Sequence, residues 1–170
     1  VDAMQEGLAI AKVSGRMEVY ESADHNIVCI VDYAHNALSF EKLFESVKKE
    51  YPDYEISIVF GCPGDKAMER RKDLGEIAGK NADHIYLTED HPGEEDVHDI
   101  CVEIAGHIKA VKGTYEIIED RGEAVKQAVV NATTKTVVLV AAKGHETVQK
   151  RGLEYVEIPG DVAYVDTALK

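Results

Sequence analysis

Short apolar segments rich in β-branched residues alternate with helix-like segments, and this alternation constrains the fold more than any other feature of the chain. Strands buried on both faces of a parallel sheet have this composition. The pattern predicts strands at 28–31, 56–60, 85–87, 115–118 and 137–140. Strands that alternate with helices form β-α-β units with right-handed crossovers. We therefore expect a three-layer, Rossmann-like α/β domain whose mostly parallel sheet carries peripheral strands at 17–21 and 155–158.

The helix-like segments repeat apolar residues at three- and four-residue spacing, which places them on one face of a helix. The first apolar stripe consists of Phe40, Leu43, Phe44 and Val47. Further helices are predicted at 97–108, at 124–129 with Asp120 as the N-cap, and at 162–169. A helix at 70–82 is more weakly indicated, because Gly75 and Gly79 lower its helix propensity.

Size and charge exclude several classes of protein. The chain has 170 residues, 45% of them hydrophobic, which suits one domain with a substantial core. It carries 32 acidic and 19 basic side chains, a formal net charge of −13, which disfavours nucleic acid and anionic membranes. The three cysteines lack the spacing of a zinc site or a disulfide framework. We expect a cytoplasmic, monomeric domain that binds neither nucleic acid nor membrane.

Polar residues follow four of the predicted strands, where open α/β sheets bind their ligands. The first such loop is 32–36, in which Asp32 and His35 have the chemistry to hold a sugar hydroxyl and a phosphate. An ordinary loop with an aspartate turn residue is the equally weighted alternative. The second loop, 61–66, has two glycines and ends in Asp65 and Lys66, so it suits an anion such as a carboxylate. A tight turn between strand and helix is its alternative, and neither a phosphate-binding P-loop nor a dinucleotide fingerprint is present.

The third and fourth loops add charges of both signs. In loop 88–93, Asp90 and His91 are either substrate ligands or parts of a structural turn. In loop 141–146, Lys143 has the charge to meet a phosphate, and Glu146 has the charge to hold an ammonium group. The pair His145-Glu146 is not a zinc motif, because Gln149 stands where the second histidine would be, and we expect no metal site. Four such loops at one edge predict a cleft for a small polar ligand that carries both charges.

Five ordered motifs carry a family resemblance over nearly the whole chain: 15–18 (GRME), 31–35 (VDYAH), 60–66 (FGCPGDK), 90–92 (DHP) and 143–146 (KGHE). Together they resemble the C-terminal domain of the Mur ligases, above all the UDP-N-acetylmuramoyl-tripeptide synthetases. The resemblance implies an ATP-dependent ligase of three domains, in which residues 1–170 form the last domain and 1–12 are the end of the preceding one. ATP phosphorylates a carboxylate of UDP-N-acetylmuramoyl-L-alanyl-D-glutamate, and the amine of a diamino acid then attacks the acyl phosphate. ATP and Mg²⁺ would be held mainly by the central ATPase domain, in cis, so this domain alone should be inactive.

The resemblance also assigns roles to residues. Arg16, Asp32 and His35 match nucleotide-contacting positions, and Asp32 would accept hydrogen bonds from ribose hydroxyls. The amino-acid substrate would be held by Asp65, Lys66, Asp90, His91, Lys143 and Glu146, with no catalytic residue and no metal ligand among them. Lys66 stands where the family has an arginine that binds the carboxylate of the amino acid, and Lys lacks the bidentate fork. Glu146 matches the residue that binds its ammonium end.

Departures from the family pattern bear on the substrate. Ligases that use meso-diaminopimelate have an arginine for its distal carboxylate at the position of Gly93, so we expect L-lysine or another diamino acid instead. His91 replaces an asparagine, and Ala142 replaces a glycine. These changes leave open a divergent paralogue with another amine substrate. Two further alternatives are the C-terminal domain of a folate- or cyanophycin-type amide ligase, and a non-catalytic module that binds a nucleotide or an amino acid.

Overall fold

The computed structural model describes residues 15–23 and 26–170, so the predicted remnant at 1–12 lies outside the described residues. In chain order the elements are β1 (Glu18–Glu21), β2 (Ile27–Val31), α1 (Ala37–Glu50), β3 (Glu55–Phe60), α2 (Glu69–Asn81), β4 (His84–Leu87), α3 (Val97–Ala110), β5 (Glu116–Ile117), α4 (Arg121–Val130), β6 (Thr136–Val140), β7 (Val148–Arg151), β8 (Glu154–Glu157) and α5 (Asp161–Ala168). None of these helices is long and apolar enough to cross a membrane.

The main sheet has six strands in the order β1-β2-β6-β3-β4-β5. Only β1 runs antiparallel to its neighbour, which confirms the predicted peripheral strand near 17–21. The register aligns the strand ends, since Val140 of β6 pairs with Val31 on one side and Val59 on the other. The loops that follow β2, β3, β4 and β6 therefore emerge at one edge of the sheet, as the alternation predicts.

Two separate cores make the fold three-layered. On one face, alternate strand residues such as Ile30 and Ile58 pack against α1, α2 and α3. On the other face, Cys29, Val31 and Val138 pack against α4 and α5. The central strands are buried on both sides, which explains their continuous apolar sequence. The predicted three-layer α/β architecture is confirmed.

Side-chain caps fix the helices that follow the site loops. Asp120 accepts a hydrogen bond from the backbone of Glu123 and caps α4, as predicted. Asn36 and Ser39 form a capping box at the start of α1. The last residue of loop 32–36 is thus a helix cap, and α1 begins directly behind Asp32 and His35.

A second, two-stranded sheet pairs β7 with β8. The strand predicted at 155–158 is β8, but its partner β7 was not predicted, because its sequence VQKR lacks an apolar alternation. This hairpin joins the loop after β4: the N–H of Gly93 donates to the carbonyl of Lys150 at 3.3 Å, and the N–H of Gly152 donates to the carbonyl of Gly93 at 2.6 Å. The hairpin therefore adds a wall to the sheet edge where the four loops meet.

Candidate functional site

The four loops and the β7–β8 hairpin enclose one cleft of about 660 Å³, called here the central cleft. Its lining residues are Tyr33, His35, Pro63, Gly64, Asp65, Lys66, Arg70, Asp90, His91, Ala142, Glu146, Val148, Lys150 and Tyr155. Acidic and basic side chains both face it. The structure thus brings together six of the predicted site residues, namely His35, Asp65, Lys66, Asp90, His91 and Glu146.

Glu146 is the carboxylate around which the floor of the cleft is arranged. Its Oε1 accepts a hydrogen bond from the hydroxyl of Tyr33 at 3.2 Å, and its Oε2 lies 2.7 Å from Nε2 of His91. Lys143 donates to the same Oε2 at 3.1 Å. Burial works to raise the pKa of Glu146, but the hydrogen bonds from His91 and Lys143 outweigh it, and the net pKa lies below its ordinary value. Glu146 is therefore an ionised group at the cleft surface, suited to an ammonium ligand.

His91 is held in one tautomer by the hairpin. Its Nδ1 accepts a hydrogen bond from the backbone N–H of Lys150 at 2.9 Å, so the ring proton resides on Nε2. Nε2 then donates to Glu146 at 2.7 Å. His91 is thus fixed by the hairpin, and its Nε2 orients Glu146.

Lys143 is fully buried beneath the cleft and does not line it. Its ammonium group donates to Glu146 and, at 2.9 Å, to the carbonyl of Val148. It also lies 3.0 Å from Nε2 of His91 and 3.8 Å from Oδ1 of Asp90. The prediction that Lys143 meets a ligand remains a prediction. The structure shows it as the internal cation of the acidic floor.

Asp90 is a second carboxylate at the floor, 7% exposed. Burial raises the pKa of Asp90, and the charges of Arg121 and Lys143 oppose that rise. It lines the cleft, as a substrate ligand would.

Asp90, His91 and Glu146 each offer a ligand atom within 4.8 Å of the others, a spacing compatible with a metal ion. The ammonium group of Lys143 lies among these three side chains and supplies the compensating positive charge. The donor set is thus already satisfied by a cation of the chain itself, and it does not fit Mg²⁺, which prefers several oxygen ligands and retained waters.

Lys66 and Asp65 come from the loop after β3. Lys66 is exposed and lines the cleft. Asp65 adopts a left-handed backbone conformation with φ of 60°, and its carboxylate accepts a hydrogen bond from the N–H of Glu94 at 3.3 Å. That bond holds the Asp65 carboxylate against Gly93, at the end of the cleft where the hairpin joins.

Of the residues predicted for a nucleotide, His35 lines the central cleft, and Arg16 and Asp32 lie outside its lining. Asp32 accepts hydrogen bonds from the backbone N–H groups of Met17 and Ala34, both at 2.8 Å. Arg16 lies over the ring of Tyr33, with 5.8 Å between its guanidinium carbon and the ring centroid. His35 packs edge-on against the same ring at 4.9 Å. Arg16, Asp32 and His35 therefore share a surface organised by Tyr33, which also lines the cleft.

Arg16 is held at this surface because Gly15 and Gly144 have no side chains, which lets the backbones of the two segments pack in contact. A Cβ atom at Gly15 would lie 2.3 Å from the backbone nitrogen of His145, and one at Gly144 would lie 2.7 Å from the carbonyl oxygen of Gly15. Both glycines also have positive φ. The segment before β1 is thereby fastened to the loop after β6.

Eight lining residues were not among the predicted site residues: Tyr33, Pro63, Gly64, Arg70, Ala142, Val148, Lys150 and Tyr155. The first three and Ala142 lie within the predicted loops, and Arg70 lies in the first turn of α2, four residues after Lys66. The remaining three, on the hairpin, depend on how it folds back, for which the sequence carries no pattern.

Comparison with known proteins gives one family match and several close relatives. Residues 15–144 match the family model described as Mur ligase, glutamate ligase domain. The chain is 40% identical over 147 residues to a UDP-N-acetylmuramoyl-L-alanyl-D-glutamate--L-lysine ligase of Enterococcus faecalis, covering 86% of this chain and 28% of that protein. It is 39% identical over 153 residues to a UDP-N-acetylmuramoyl-L-alanyl-D-glutamate--2,6-diaminopimelate ligase of Alkaliphilus metalliredigens, covering 89% and 30%.

Among solved structures, that of a UDP-N-acetylmuramoyl-L-alanyl-D-glutamate--2,6-diaminopimelate ligase superposes with a TM-score of 0.83 at 27% identity. The match covers 99% of this chain and 36% of that one. The chain therefore spans about a third of the length of the relatives it matches, and relatives of both amino-acid specificities are nearly equally similar to it.

Proposed function

This chain belongs to the Mur ligase family through its glutamate ligase domain, and from that membership we propose that it is the amino-acid-binding domain of an ATP-dependent amide ligase. The ligase would join L-lysine to UDP-N-acetylmuramoyl-L-alanyl-D-glutamate in peptidoglycan synthesis. The observation that carries this proposal is the central cleft, whose lining includes the carboxyl groups of Glu146 and Asp90 and the ammonium group of Lys66. An α-amino acid presents an ammonium and a carboxylate group to match.

In this proposal the ammonium group of the amino acid binds Glu146, which is ionised and partly open to the cleft with 24% of its side chain exposed. Asp90 adds a second carboxyl group to the lining of the cleft. The α-carboxylate binds Lys66, through a point charge and without the fork of an arginine. Lys143 and His91 contribute to binding indirectly, because their hydrogen bonds to the carboxylate of Glu146 fix the orientation of that group. Binding at two ends orients the amine for attack, and orientation of this kind supplies much of the rate of such reactions.

The choice of L-lysine rests on Gly93 and not on overall similarity, which favours neither specificity. A distal carboxylate, as in diaminopimelate, would call for a cation at position 93. Gly93 has no side chain, and the carboxylate of Asp65 occupies the adjacent space. Lys150 does bring an ammonium group within 3.8 Å of the point where a Cβ of residue 93 would lie. The carboxylate of Asp65 lies closer to that point, at 2.5 Å, and its negative charge favours the distal ammonium group of lysine.

The nucleotide would contact the surface formed by Arg16, Asp32 and His35. The Asp32 oxygens each accept one backbone hydrogen bond and keep a lone pair for a ribose hydroxyl. Arg16 supplies a positive charge for phosphate. ATP would provide the phosphoryl group that activates the acceptor carboxylate, with Mg²⁺ bound outside this domain.

The reaction requires more than this domain. The carboxylate of the UDP-linked dipeptide is phosphorylated by ATP, the amine attacks the acyl carbon, and phosphate leaves, giving an amide, ADP and phosphate. A P-loop that would hold the ATP phosphates is not found in residues 1–170. We propose that residues 1–170 are one domain, that an ATPase domain precedes it in cis, and that the domain alone is inactive and monomeric.

Two single substitutions in the complete protein that carries this domain test the two subsites separately. Glu146→Gln should raise the KM for L-lysine by about 10- to 100-fold, because a charged hydrogen bond is worth about 1.5–3 kcal/mol, and leave the KM for ATP near that of the wild type. Asp32→Asn should raise the KM for ATP and leave the KM for L-lysine near that of the wild type. Equal effects of both substitutions on both Michaelis constants would contradict the assignment of two subsites.

A further inference from the structure

A buried arginine lies directly behind the central cleft. Arg121 is the first residue of α4, and its side chain is 1% exposed. Asp161, the first residue of α5, is buried as well and holds the guanidinium bidentately: Nε donates to Oδ1 at 2.7 Å and Nη2 donates to Oδ2 at 2.8 Å. The pair joins the N-termini of two helices on the face of the sheet away from α1, α2 and α3.

The same guanidinium bonds two backbone carbonyls of the site loops. Nη2 donates to the carbonyl of Ala141 at 2.7 Å, and Nη1 donates to the carbonyl of Glu89 at 3.3 Å. Each carbonyl belongs to the peptide unit that immediately precedes a cleft residue, Asp90 after Glu89 and Ala142 after Ala141. One side chain therefore fixes the starting points of the two loops that carry Asp90, His91 and Glu146.

A path of contacts leads from one of these carbonyls to the cleft surface. Asp90, which follows Glu89 in the chain, lies 3.8 Å from the ammonium group of Lys143. Lys143 in turn donates to Glu146. The α4–α5 interface is thus linked, through the Glu89 carbonyl, Asp90 and Lys143, to the carboxylate that would hold the ammonium group of the amino acid.

A buried ion pair is weak evidence for stability, because an apolar pair of similar size is often as stabilising. What an apolar pair lacks is a donor for the two loop carbonyls. We propose that Arg121, oriented by Asp161, is a positioning residue for the amino-acid subsite, so that the α4–α5 interface controls affinity for the amino acid. This inference rests on the proposed function for its substrate, but its structural part, the placement of the two loops, does not.

The test uses the complete protein and the double variant Arg121→Gln/Asp161→Asn, which removes both charges at once and leaves no unpaired buried ion. We expect the KM for L-lysine to rise about tenfold or more, since small misplacements of binding groups cost rates of this order. The KM values for ATP and the UDP-linked dipeptide should stay near those of the wild type. Hydrogen exchange at the amides of Asp90 and Ala142 should become faster. Arg121→Lys, which keeps the charge but loses the fork, provides a second variant with the same expected direction.

Val165→Ala is the matched control, because Val165 is a buried residue of α5 in the core beside the ion pair and its apolar side chain donates to neither loop carbonyl. It should lower stability and leave the KM for L-lysine and the exchange of both loops unchanged. The inference is overturned if the loop amides exchange as in the wild type in both Arg121 variants, or if Val165→Ala raises the KM equally. Absence of product from the wild type with any amino acid would count against the proposed function, and the exchange data would still decide the inference.

Discussion

The carboxylate of Asp65 occupies the space that a side chain at position 93 would need, since a Cβ atom on Gly93 would lie 2.5 Å from Oδ2 of Asp65. Gly93 also has a φ of 63°, a left-handed conformation that other residues adopt at a cost. This end of the central cleft therefore presents an acid where a longer side chain would otherwise enter, which is the basis for expecting a distal ammonium group on the substrate.

Replacing Gly93 with alanine should destabilise the domain by about 1–2 kcal/mol, the cost of a left-handed conformation for a residue with a Cβ. Urea unfolding of the complete protein measures the change. Gly106→Ala is the matched control, because Gly106 lies inside α3 with no atom within 4 Å of its added Cβ. It should gain about 0.5–1 kcal/mol. If Gly93→Ala and Gly106→Ala change the free energy of unfolding in the same direction, the backbone conformation of Gly93 is not strained.

Ala142 has a φ of 84° and stands where the family resemblance places a glycine. Ala142→Gly and Ala141→Gly both remove a buried methyl group and add the flexibility of glycine. Only Ala142→Gly also relieves a positive φ, so it should be more stable than Ala141→Gly by about 1–2 kcal/mol. Equal midpoints of urea unfolding for the two variants would refute strain at position 142.

Lys143 supplies the cation that the acidic floor needs, so its removal should both weaken the fold and open a metal site. Lys143→Ala should destabilise the protein by about 3–5 kcal/mol, the usual cost of breaking a buried ion pair. Zn²⁺ should then bind Asp90, His91 and Glu146 and raise the Tm of the variant. The wild type and Lys143→Ala/Glu146→Gln serve as controls, and no shift is expected for either. A Tm of Lys143→Ala that is insensitive to Zn²⁺ would disprove the internal-cation role.

Stability should depend on the ionisation of Glu146. Its pKa in the folded protein is below the ordinary value, so ionised Glu146 contributes stability above the unfolded-state pKa of about 4.3. That contribution is lost as the pH falls through the lower, folded-state pKa. The difference in free energy of unfolding between wild type and Glu146→Gln should therefore be largest near pH 7 and shrink below pH of about 4. A difference that is constant from neutral to acid pH would contradict the lowered pKa.

Apolar patterns and capping residues within single segments are sufficient to predict most of the fold. The apolar runs at 28–31 and 137–140 are the cores of β2 and β6, and Asp120 caps α4 as its sequence context indicates. The edge at which Asp32, Asp90 and Glu146 gather follows from strand direction alone. These features depend on local propensity and on the rule that parallel strands end together.

Features that depend on three-dimensional packing were not predictable in this way. The hairpin wall with Lys150 and Tyr155 forms because Gly93 and Lys150 share a backbone hydrogen bond, which no periodicity reports. The full burial of Lys143 beside His91 and Glu146 follows from packing and is not visible in the sequence. Arg121 follows the helix cap Asp120 in sequence, and its role depends on Asp161, 40 residues away.

A competition assay tests the proposed ligase and its preference for lysine together. It uses the complete protein, ATP, Mg²⁺ and UDP-N-acetylmuramoyl-L-alanyl-D-glutamate, with L-lysine and meso-diaminopimelate at equal concentration. Mass spectrometry of the UDP-linked product distinguishes the two amino acids. We expect the lysine adduct to predominate and ADP to form in step with it. A product that contains mainly diaminopimelate would contradict the role given to Asp65 and Gly93, and no adduct with either amino acid would contradict the proposed ligase itself.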